Sequence, residues 1–141
     1  MPDPAANPIQ PIPAVLQIER GGFGGFDQLC LESGQLYHTP EFEKQAHRVP
    51  QPSMERWISF RHALDRLGVW QWHHEYVNSR IHDGTQWSVM IEYRDGAVIQ
   101  STGSNAYPSF MDADYEDNGK QSLDWHLFMA SLRWLTNNRY A

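Results

Sequence analysis

Residues 57–110 constrain the fold of this chain more than any other part of its sequence. The segment contains four of the six tryptophans, and the clearest helix signal of the chain begins just before it, at Met54. Ser53 is a favourable N-cap and Gly68 a favourable residue just past the C-terminal end, so the helix is predicted to span Met54–Leu67. Its large apolar residues recur at helical spacing, which places them on one face. They are Trp57, Phe60, Leu64 and Leu67.

The segment that follows this helix, Val69–Val77, is open to two interpretations. Its alternation favours a β-strand, with two tryptophans, His74 and Tyr76 on one side. An irregular turn-back would instead place Val69, Trp72 and Tyr76 on the core. Several large rings occupy one small region in both cases, and the strand is the interpretation that we prefer.

A β-hairpin is predicted from two strands, Gln86–Arg94 and Ala97–Thr102. The first strand alternates apolar and polar side chains, as a half-buried strand does. A two-residue type I′ turn at Asp95-Gly96 would join the strands. That loop length would turn Tyr93 inward and would place Ile99 on the outer face of the sheet.

The second predicted helix, Leu123–Thr136, is apolar on two sides. One arc of its helical wheel contains Trp125, Phe128, Met129, Leu132 and Leu135. The other arc contains Leu123, Leu127, Ala130 and Trp134. Such a helix is either buried between two layers or packs one face on a partner, and a homodimer through the second face is one such arrangement.

The N-terminal part of the chain adds a tail and further strands. Residues 1–13 contain five prolines, which remove backbone donors and predict a flexible tail. Ala14–Glu19 is predicted as a first strand, and residues 27–32 and 35–39 as a hairpin that turns at Ser33-Gly34. Residues 14–141 are therefore predicted to form a single α+β domain, an antiparallel sheet of about four to six strands with two packed helices.

Charge and composition exclude several classes of partner. The formal charge is −6 and the basic residues are scattered along the chain, so neither nucleic-acid nor anionic-membrane binding is predicted. No apolar run approaches the roughly 18 residues needed to span a bilayer, and the N-terminus lacks the features of a secretory signal. Cys30 has no second cysteine to pair with, which gives no support for an oxidising compartment. The cytoplasm is the expected location.

No catalytic or metal-binding motif is complete in the sequence. His73 and His74 would point to opposite faces of a strand, and His74-Glu75 lacks the second histidine of a zinc-binding H-E-x-x-H helix. The acidic residues 112–117 open no loop with the closing glutamate of a calcium site. No serine stands in a nucleophile elbow. The chain is therefore predicted to have no cofactor, no metal and no enzymatic activity.

The stretch Ile18-Glu19-Arg20-Gly21-Gly22-Phe23-Gly24-Gly25 resembles the opening of the emfourin family, small bacterial protein inhibitors of thermolysin-like metalloproteases. The first strand of that family runs into a Gly-Gly-Phe-Ala-Gly-like turn, and a helix, a hairpin and a closing helix follow in a similar order. The match covers about eight residues, with Gly24 where the family has alanine. The resemblance implies an inhibitor whose Gly21–Gly25 loop lies near the contact surface.

The acidic residues 112–117 and the aromatic residues around them offer a second contact surface. A negative surface with exposed aromatic anchors suits a protein that blocks a basic partner, because charge complementarity speeds association and buried rings supply much of the binding energy. Each of these aromatic residues could equally be ordinary loop packing. Together with the glycine loop, the predicted partner-binding residues are Gly22, Phe23, Gly24, Tyr107, Phe110, Asp112, Asp114, Tyr115, Glu116 and Asp117.

The resulting hypothesis is a non-catalytic antagonist, of inhibitor or immunity type, that binds and blocks another bacterial protein such as a toxin or a protease. One alternative is a small-molecule or carbohydrate-binding module that stacks its ligand on Trp70, Trp72 and Trp87. Another alternative is an enzyme of unknown type. Deep burial of the three tryptophans would count against the binding module.

Overall fold

The computed structural model describes residues 11–22, 25–77, 85–108 and 122–137. In these residues a seven-stranded sheet carries two helices on one of its faces. The strands are β1 (Val15–Gly22), β2 (Gly25–Glu32), β3 (Gln35–Thr39), β4 (His47–Arg48), β5 (Glu75–Val77), β6 (Gln86–Glu92) and β7 (Val98–Ser104). The helices are α1 (Met54–Leu67) and α2 (Leu123–Leu135), and a 3₁₀ turn (Val69–Gln71) follows α1.

The order of strands across the sheet is β4-β3-β2-β1-β6-β7-β5, and only the β5–β7 pair is parallel among the described strands. The predicted α+β class is confirmed. The seven strands exceed the predicted range because β4, with two residues, sits on one edge and is too short to show a periodic pattern. At the other edge β5 has three residues, and such short edge strands offer little backbone for unwanted pairing. Neither helix that the structure describes is long and apolar enough to cross a membrane.

Helix α1 begins and ends where the sequence predicts. The Ser53 hydroxyl accepts a hydrogen bond from the Arg56 N–H at 3.2 Å. Gly68 adopts the left-handed conformation with a φ of 65°, which glycine enters without steric cost. Trp57, Phe60 and Leu64 of the predicted apolar face are fully buried on the sheet.

The segment after α1 is a turn-back, and the predicted long strand is wrong. The 3₁₀ turn leads into irregular backbone, and only Glu75–Val77 pairs with the sheet, beside β7. The buried residues are Val69, Trp72 and Tyr76. Their irregular spacing is the one that the turn-back interpretation predicts. Because the Trp72 ring must pack on the sheet and on α2 at once, tertiary packing overrides the local alternation.

The β6–β7 hairpin has a longer turn than predicted, and its register changes accordingly. The Tyr93 N–H donates to the Ala97 carbonyl at 2.8 Å, so the loop contains three residues rather than two. Gly96 has a φ of 100°, as in a type I turn followed by a glycine bulge. The added residue turns Ile99 to the helix side of the sheet, where it pairs with Ile91 and is buried. The predicted outer position of Ile99 is therefore wrong.

An aromatic cluster fills the core between the sheet and α2. Its members are Trp72, Tyr76, Trp87, Tyr107, Trp125 and Phe128. Trp87 is central: its ring centre lies 4.6 Å from that of Trp125, and its Nε1–H donates to the Ala106 carbonyl at 2.8 Å. The indole lies directly over Gly103 of the neighbouring strand.

The opposite face of the sheet carries polar residues together with the exposed side chains of Phe26, Val77 and Val98. Four of its residues lie side by side across β1, β6, β7 and β5, namely Glu19, Ser88, Thr102 and Glu75. They line a shallow cavity of about 340 Å³. Cys30 is on this face too, and burial, with smaller contributions from Glu32 and Glu19, raises the pKa of its thiol. The protonated thiol is a poor nucleophile at neutral pH.

Candidate functional site

Helix α2 exposes the second of its two apolar arcs. The helix begins at the Ser122 cap, whose hydroxyl accepts a hydrogen bond from the Trp125 N–H at 3.1 Å. The first arc is the buried one, which the sequence pattern alone leaves open, and it consists of Trp125, Phe128, Met129, Leu132 and Leu135. In the second arc Leu123 is 71% exposed, Leu127 47% and Trp134 53%. We call Leu123, Leu127, Ala130 and Trp134 the α2 outer face.

A groove of about 500 Å³ separates the α2 outer face from α1. It is lined by Ser59, Phe60, Ala63, Arg66, Leu67, Leu127, Ala130, Ser131 and Trp134. The two helices run antiparallel, because Arg56 near the start of α1 contacts Trp134 near the end of α2. Ser59, Ala63 and Ala130 are small, so the groove is open to a side chain from outside. Its lining is mainly apolar, and Arg66 is the one charged residue among the described residues that line it.

Arg56 holds Trp134 in place at one end of this groove. The guanidinium carbon lies 4.2 Å from the centre of the indole ring, within cation–π distance. One guanidinium N–H also donates to the Trp134 main-chain carbonyl, near the C-terminus of α2, where positive charge is favourable. Trp134 is thus an exposed aromatic side chain whose orientation is already fixed. Association loses less side-chain entropy at such a residue than at a mobile one.

On another side of α1, Arg61 joins this helix to the β6–β7 hairpin. Its guanidinium lies 2.9 Å from Asp65 and 3.0 Å from Asp95, and it covers the Tyr93 ring at 4.4 Å and the Trp70 ring at 5.3 Å. Burial acts to lower the pKa of Arg61, but hydrogen bonds to the two carboxylates outweigh it and raise the pKa. Burial raises the pKa of the Tyr93 hydroxyl. The guanidinium contacts two carboxylates, whereas the buried Tyr93 hydroxyl has no hydrogen-bond partner among the described residues. These contacts are structural in character.

The substitution Asp65→Asn is expected to lower stability at pH 7 and to have a smaller effect at pH 3. Burial acts to raise the pKa of Asp65, but hydrogen bonds from Trp70 at 2.7 Å and Arg61 at 2.9 Å hold it below its ordinary value of 3.8. A carboxyl group with a lowered pKa stabilises the fold above its unfolded pKa, and this contribution is lost as the pH falls through the folded pKa. The side chain is 48% exposed, so we expect a loss below about 1 kcal/mol at pH 7.

Urea unfolding of both proteins at pH 7 and pH 3 measures this effect. Sodium chloride at about 1 M should reduce the difference at pH 7, because salt screens partly exposed charges. The same loss of stability at both pH values would show that the charge of Asp65 is not responsible.

A second polar cluster lies on the helix side of the sheet, between β1, β2 and β3. The Asp27 carboxylate is 2.5 Å from His38 Nε2 and 3.4 Å from an Arg20 guanidinium nitrogen. Asp27 borders a cavity of about 270 Å³ that Glu41 and Trp125 also line. A histidine–carboxylate pair can transfer protons, but no serine or cysteine is among the described residues that line this cavity.

The predictions from the sequence do not include this cluster, although the register of the predicted hairpin implies it. The predicted turn at Ser33-Gly34 pairs Leu29 with His38, as the structure confirms. Asp27 lies two residues before Leu29 and so on the same face, diagonal to His38. The register of the hairpin alone therefore brings the carboxylate and the imidazole within reach of each other.

The predicted partner-binding residues are only partly visible. Gly22 pairs with Gly25 at the end of the β1–β2 hairpin and borders the same cavity as Trp125. Tyr107 is 4% exposed, since its ring packs on Trp87 and Trp125, so it is packed within the fold and is not an exposed anchor. The others lie outside the described residues: Phe23, Gly24, Phe110, Asp112, Asp114, Tyr115, Glu116 and Asp117.

The three tryptophans of the binding-module hypothesis do not form a shared exposed platform. Trp72 and Trp87 are buried in the aromatic cluster. Trp70 is half-buried, donates to Asp65 and packs edge-on against Tyr93. In the part of the chain that the structure describes, no three histidine, cysteine, aspartate or glutamate side chains are grouped to hold a metal ion.

Comparison of the chain with models of protein families, with curated proteins and with solved structures gave no match in any of the three. Its function is therefore inferred from its own residues and their geometry. The α2 outer face, with the groove beside it, carries an exposed tryptophan and two exposed leucines.

Proposed function

We propose that this chain is a non-catalytic antagonist, of inhibitor or immunity type, that binds another protein through the α2 outer face and the adjoining groove. The observation that carries this proposal is the exposure of Leu123, Leu127 and Trp134 on one stripe of a helix. The opposite stripe of the same helix is already buried in the core. The outer stripe is therefore not needed to form the hydrophobic core. Contiguous exposed apolar surface of this kind marks interaction sites.

Trp134 is the expected centre of the interface. Tryptophan is enriched among the residues that dominate binding energy, and these residues are typically surrounded by contacts that exclude water. Covering the exposed half of its ring would remove on the order of 100 Å² of apolar surface from water, worth about 2–3 kcal/mol. Leu127 lies two turns away on the same stripe and would extend the dry area.

The other described surfaces suit a protein partner less well. The open face of the sheet exposes Phe26 and Val77, but Glu19, Glu75 and Gln86 line the same cavity, and their carboxylate and amide groups would lose their hydration when a partner covers them. The Asp27–His38 pair has a cavity beside it, but binding and blocking a protein requires no proton transfer. An apolar surface with a fixed aromatic residue supports association more directly than either.

The glycine turn lies near the start of α2, on the side of its buried arc. Gly21 and Gly22 border the same cavity as Trp125, which lies in the first turns of α2. The emfourin resemblance implies that the Gly21–Gly25 loop lies near the contact surface. The end of the β1–β2 hairpin and the start of α2 are therefore neighbours on the helix side of the sheet. The toxin or protease target and the role of residues 112–117 stay predictions.

The proposal is tested by affinity capture from native cell extract, followed by titration of the captured protein. Leu127→Asp should weaken binding of that protein at least about 30-fold, because a carboxylate would be desolvated in an apolar contact. Ile58→Asp is the matched control: Ile58 is 43% exposed, is also helical, and does not line the groove. Its binding should stay within about twofold of the parent protein.

Two results would contradict the proposal. Equal weakening by Leu127→Asp and Ile58→Asp would show that the α2 outer face is not the specific contact. If no protein is captured, and only small metabolites raise the melting temperature, the antagonist function itself is wrong.

A further inference from the structure

We infer that the groove between α1 and α2 receives an amphipathic helix of the partner whose apolar stripe is flanked by acidic residues. This inference rests on the proposed function and specifies the chemistry of the partner segment. It depends on three features of the described residues: the length of the groove, the hydrogen-bonding state of its walls and the charges that border it.

The length of the groove matches two turns of a helix. On α2 it extends from Leu127 to Trp134, and on α1 from Ser59 to Leu67. These spans are seven and eight residue steps, or about 10.5 and 12 Å at about 1.5 Å per step. An occupying helix would therefore present apolar side chains at positions i, i+3 or i+4, and i+7.

The walls of the groove favour a helix over an extended strand. Both walls are helical, and the backbone donors and acceptors within α1 and α2 are already paired inside each helix. An extended segment would leave its own backbone groups unpaired against an apolar surface, which is unfavourable. A helix satisfies its own backbone and offers only side chains, as in other helix-in-groove complexes.

The charges beside the groove favour an acidic occupant. Arg66 lines it at one end, is exposed, and has no ion-pair partner among the residues that the structure describes. At the other end, the Arg56 guanidinium lies over the indole ring of Trp134. Helices α1 and α2 together carry four arginines and three carboxylates, in a chain whose formal charge is −6. The helical layer is thus the more basic part of the molecule.

The same charges disfavour a second copy of this chain as the occupant. No carboxylate is among the described residues that line the groove. The lining of a second copy would therefore offer Arg66 no opposite charge. Like charges across an interface cost binding energy, whereas carboxylates from a partner would pair with both ends of the groove.

The experiment uses the full chain and three labelled 18-residue peptides, with binding measured by fluorescence anisotropy. The first peptide has leucines at i, i+3, i+4 and i+7 in an alanine background with flanking glutamates. The second replaces the glutamates with lysines, and the third scrambles the first. The full chain should bind the glutamate peptide at least about tenfold more tightly than either of the others. About 0.5 M sodium chloride should reduce this preference.

Charge reversal identifies the site. Arg66→Glu should abolish the preference for the glutamate peptide, whereas Arg94→Glu, an equal change at an exposed residue of the β6–β7 turn, should leave it unchanged. Circular dichroism confirms that each variant is folded. Equal binding of the three peptides, or binding of none, would overturn the inference, as would a concentration-dependent dimer that Arg66→Glu abolishes. If the peptide test fails but Leu127→Asp still weakens binding of the captured protein, the proposed function stands. Only the acidic helical occupant is then wrong.

Discussion

Gly103→Ala is expected to lower the free energy of unfolding by about 3 kcal/mol, a large effect for the addition of a single methyl group. A Cβ atom at this position would lie 2.0 Å from Nε1 of Trp87 and 2.1 Å from Cε2. The indole cannot retreat, because it donates to Ala106 at 2.8 Å and packs on Trp125 with ring centres 4.6 Å apart. The methyl group must therefore displace either the central ring of the aromatic cluster or the β7 backbone.

Urea unfolding measures this loss, and Gly25→Ala is the matched control. Gly25 is also a strand residue, but its added Cβ would approach only Glu41 at 3.3 Å and Phe42 at 3.4 Å. We expect a change of less than about 1 kcal/mol there. Trp87→Phe removes the atoms that Gly103→Ala would strike, so the double variant should show a coupling of about 1 kcal/mol or more. Strictly additive effects would mean that Gly103 is needed for another reason.

Local sequence signals predict the structure correctly where the side chain or backbone freedom of a single residue determines a helix end or a turn. Ser53 and Gly68 have the side chain and the backbone freedom that a helix start and a helix end require, and α1 has the predicted bounds. Ser33 and Gly34 both adopt positive φ, so the β2–β3 hairpin turns where it was predicted. In these cases the preference of the local sequence and the demand of the fold agree.

The predictions are wrong where a contact between residues far apart in the sequence selects one of two possible local structures. Asp95-Gly96 is compatible with a two-residue and with a three-residue loop, and the choice between them inverts the face on which Ile99 lies. The hydrophobic side chain of Ile99 is buried only with the longer loop. The turn-back after α1 is similar, because Trp72 reaches both the sheet and α2 only from irregular backbone.

The candidate site was predictable on one side only. The wheel of α2 shows the exposed arc directly, because a helix in this position needs one apolar stripe and this helix has two. The α1 wall of the groove is built from Ser59, Ala63 and Arg66, which carry no periodic signal of a binding surface. Only the packing of α1 beside α2 brings these residues next to Leu127 and Trp134.

Phe128→Ala is expected to destabilise the protein by about 3–5 kcal/mol, whereas Leu127→Ala, one residue earlier, should change its stability by less than about 0.5 kcal/mol. Phe128 is fully buried, with its ring centre 5.2 Å from that of Trp72 and 5.6 Å from that of Trp125. Removing the ring leaves a cavity that these two large indoles cannot close without losing their own contacts. Leu127 points away from the core, and alanine is the better helix former.

The two substitutions separate the roles of the two arcs of α2 when stability and partner binding are both measured. Urea unfolding should detect Phe128→Ala, while titration of the captured partner should detect Leu127→Ala at the unchanged stability. A large loss of stability from Leu127→Ala, growing with protein concentration, would mean that a second copy covers the outer face in solution. A large loss at all concentrations would mean that the outer arc is packed within the chain itself. Since α1 and the sheet already bury the first arc, neither result is expected, and the outer arc is free to serve binding alone.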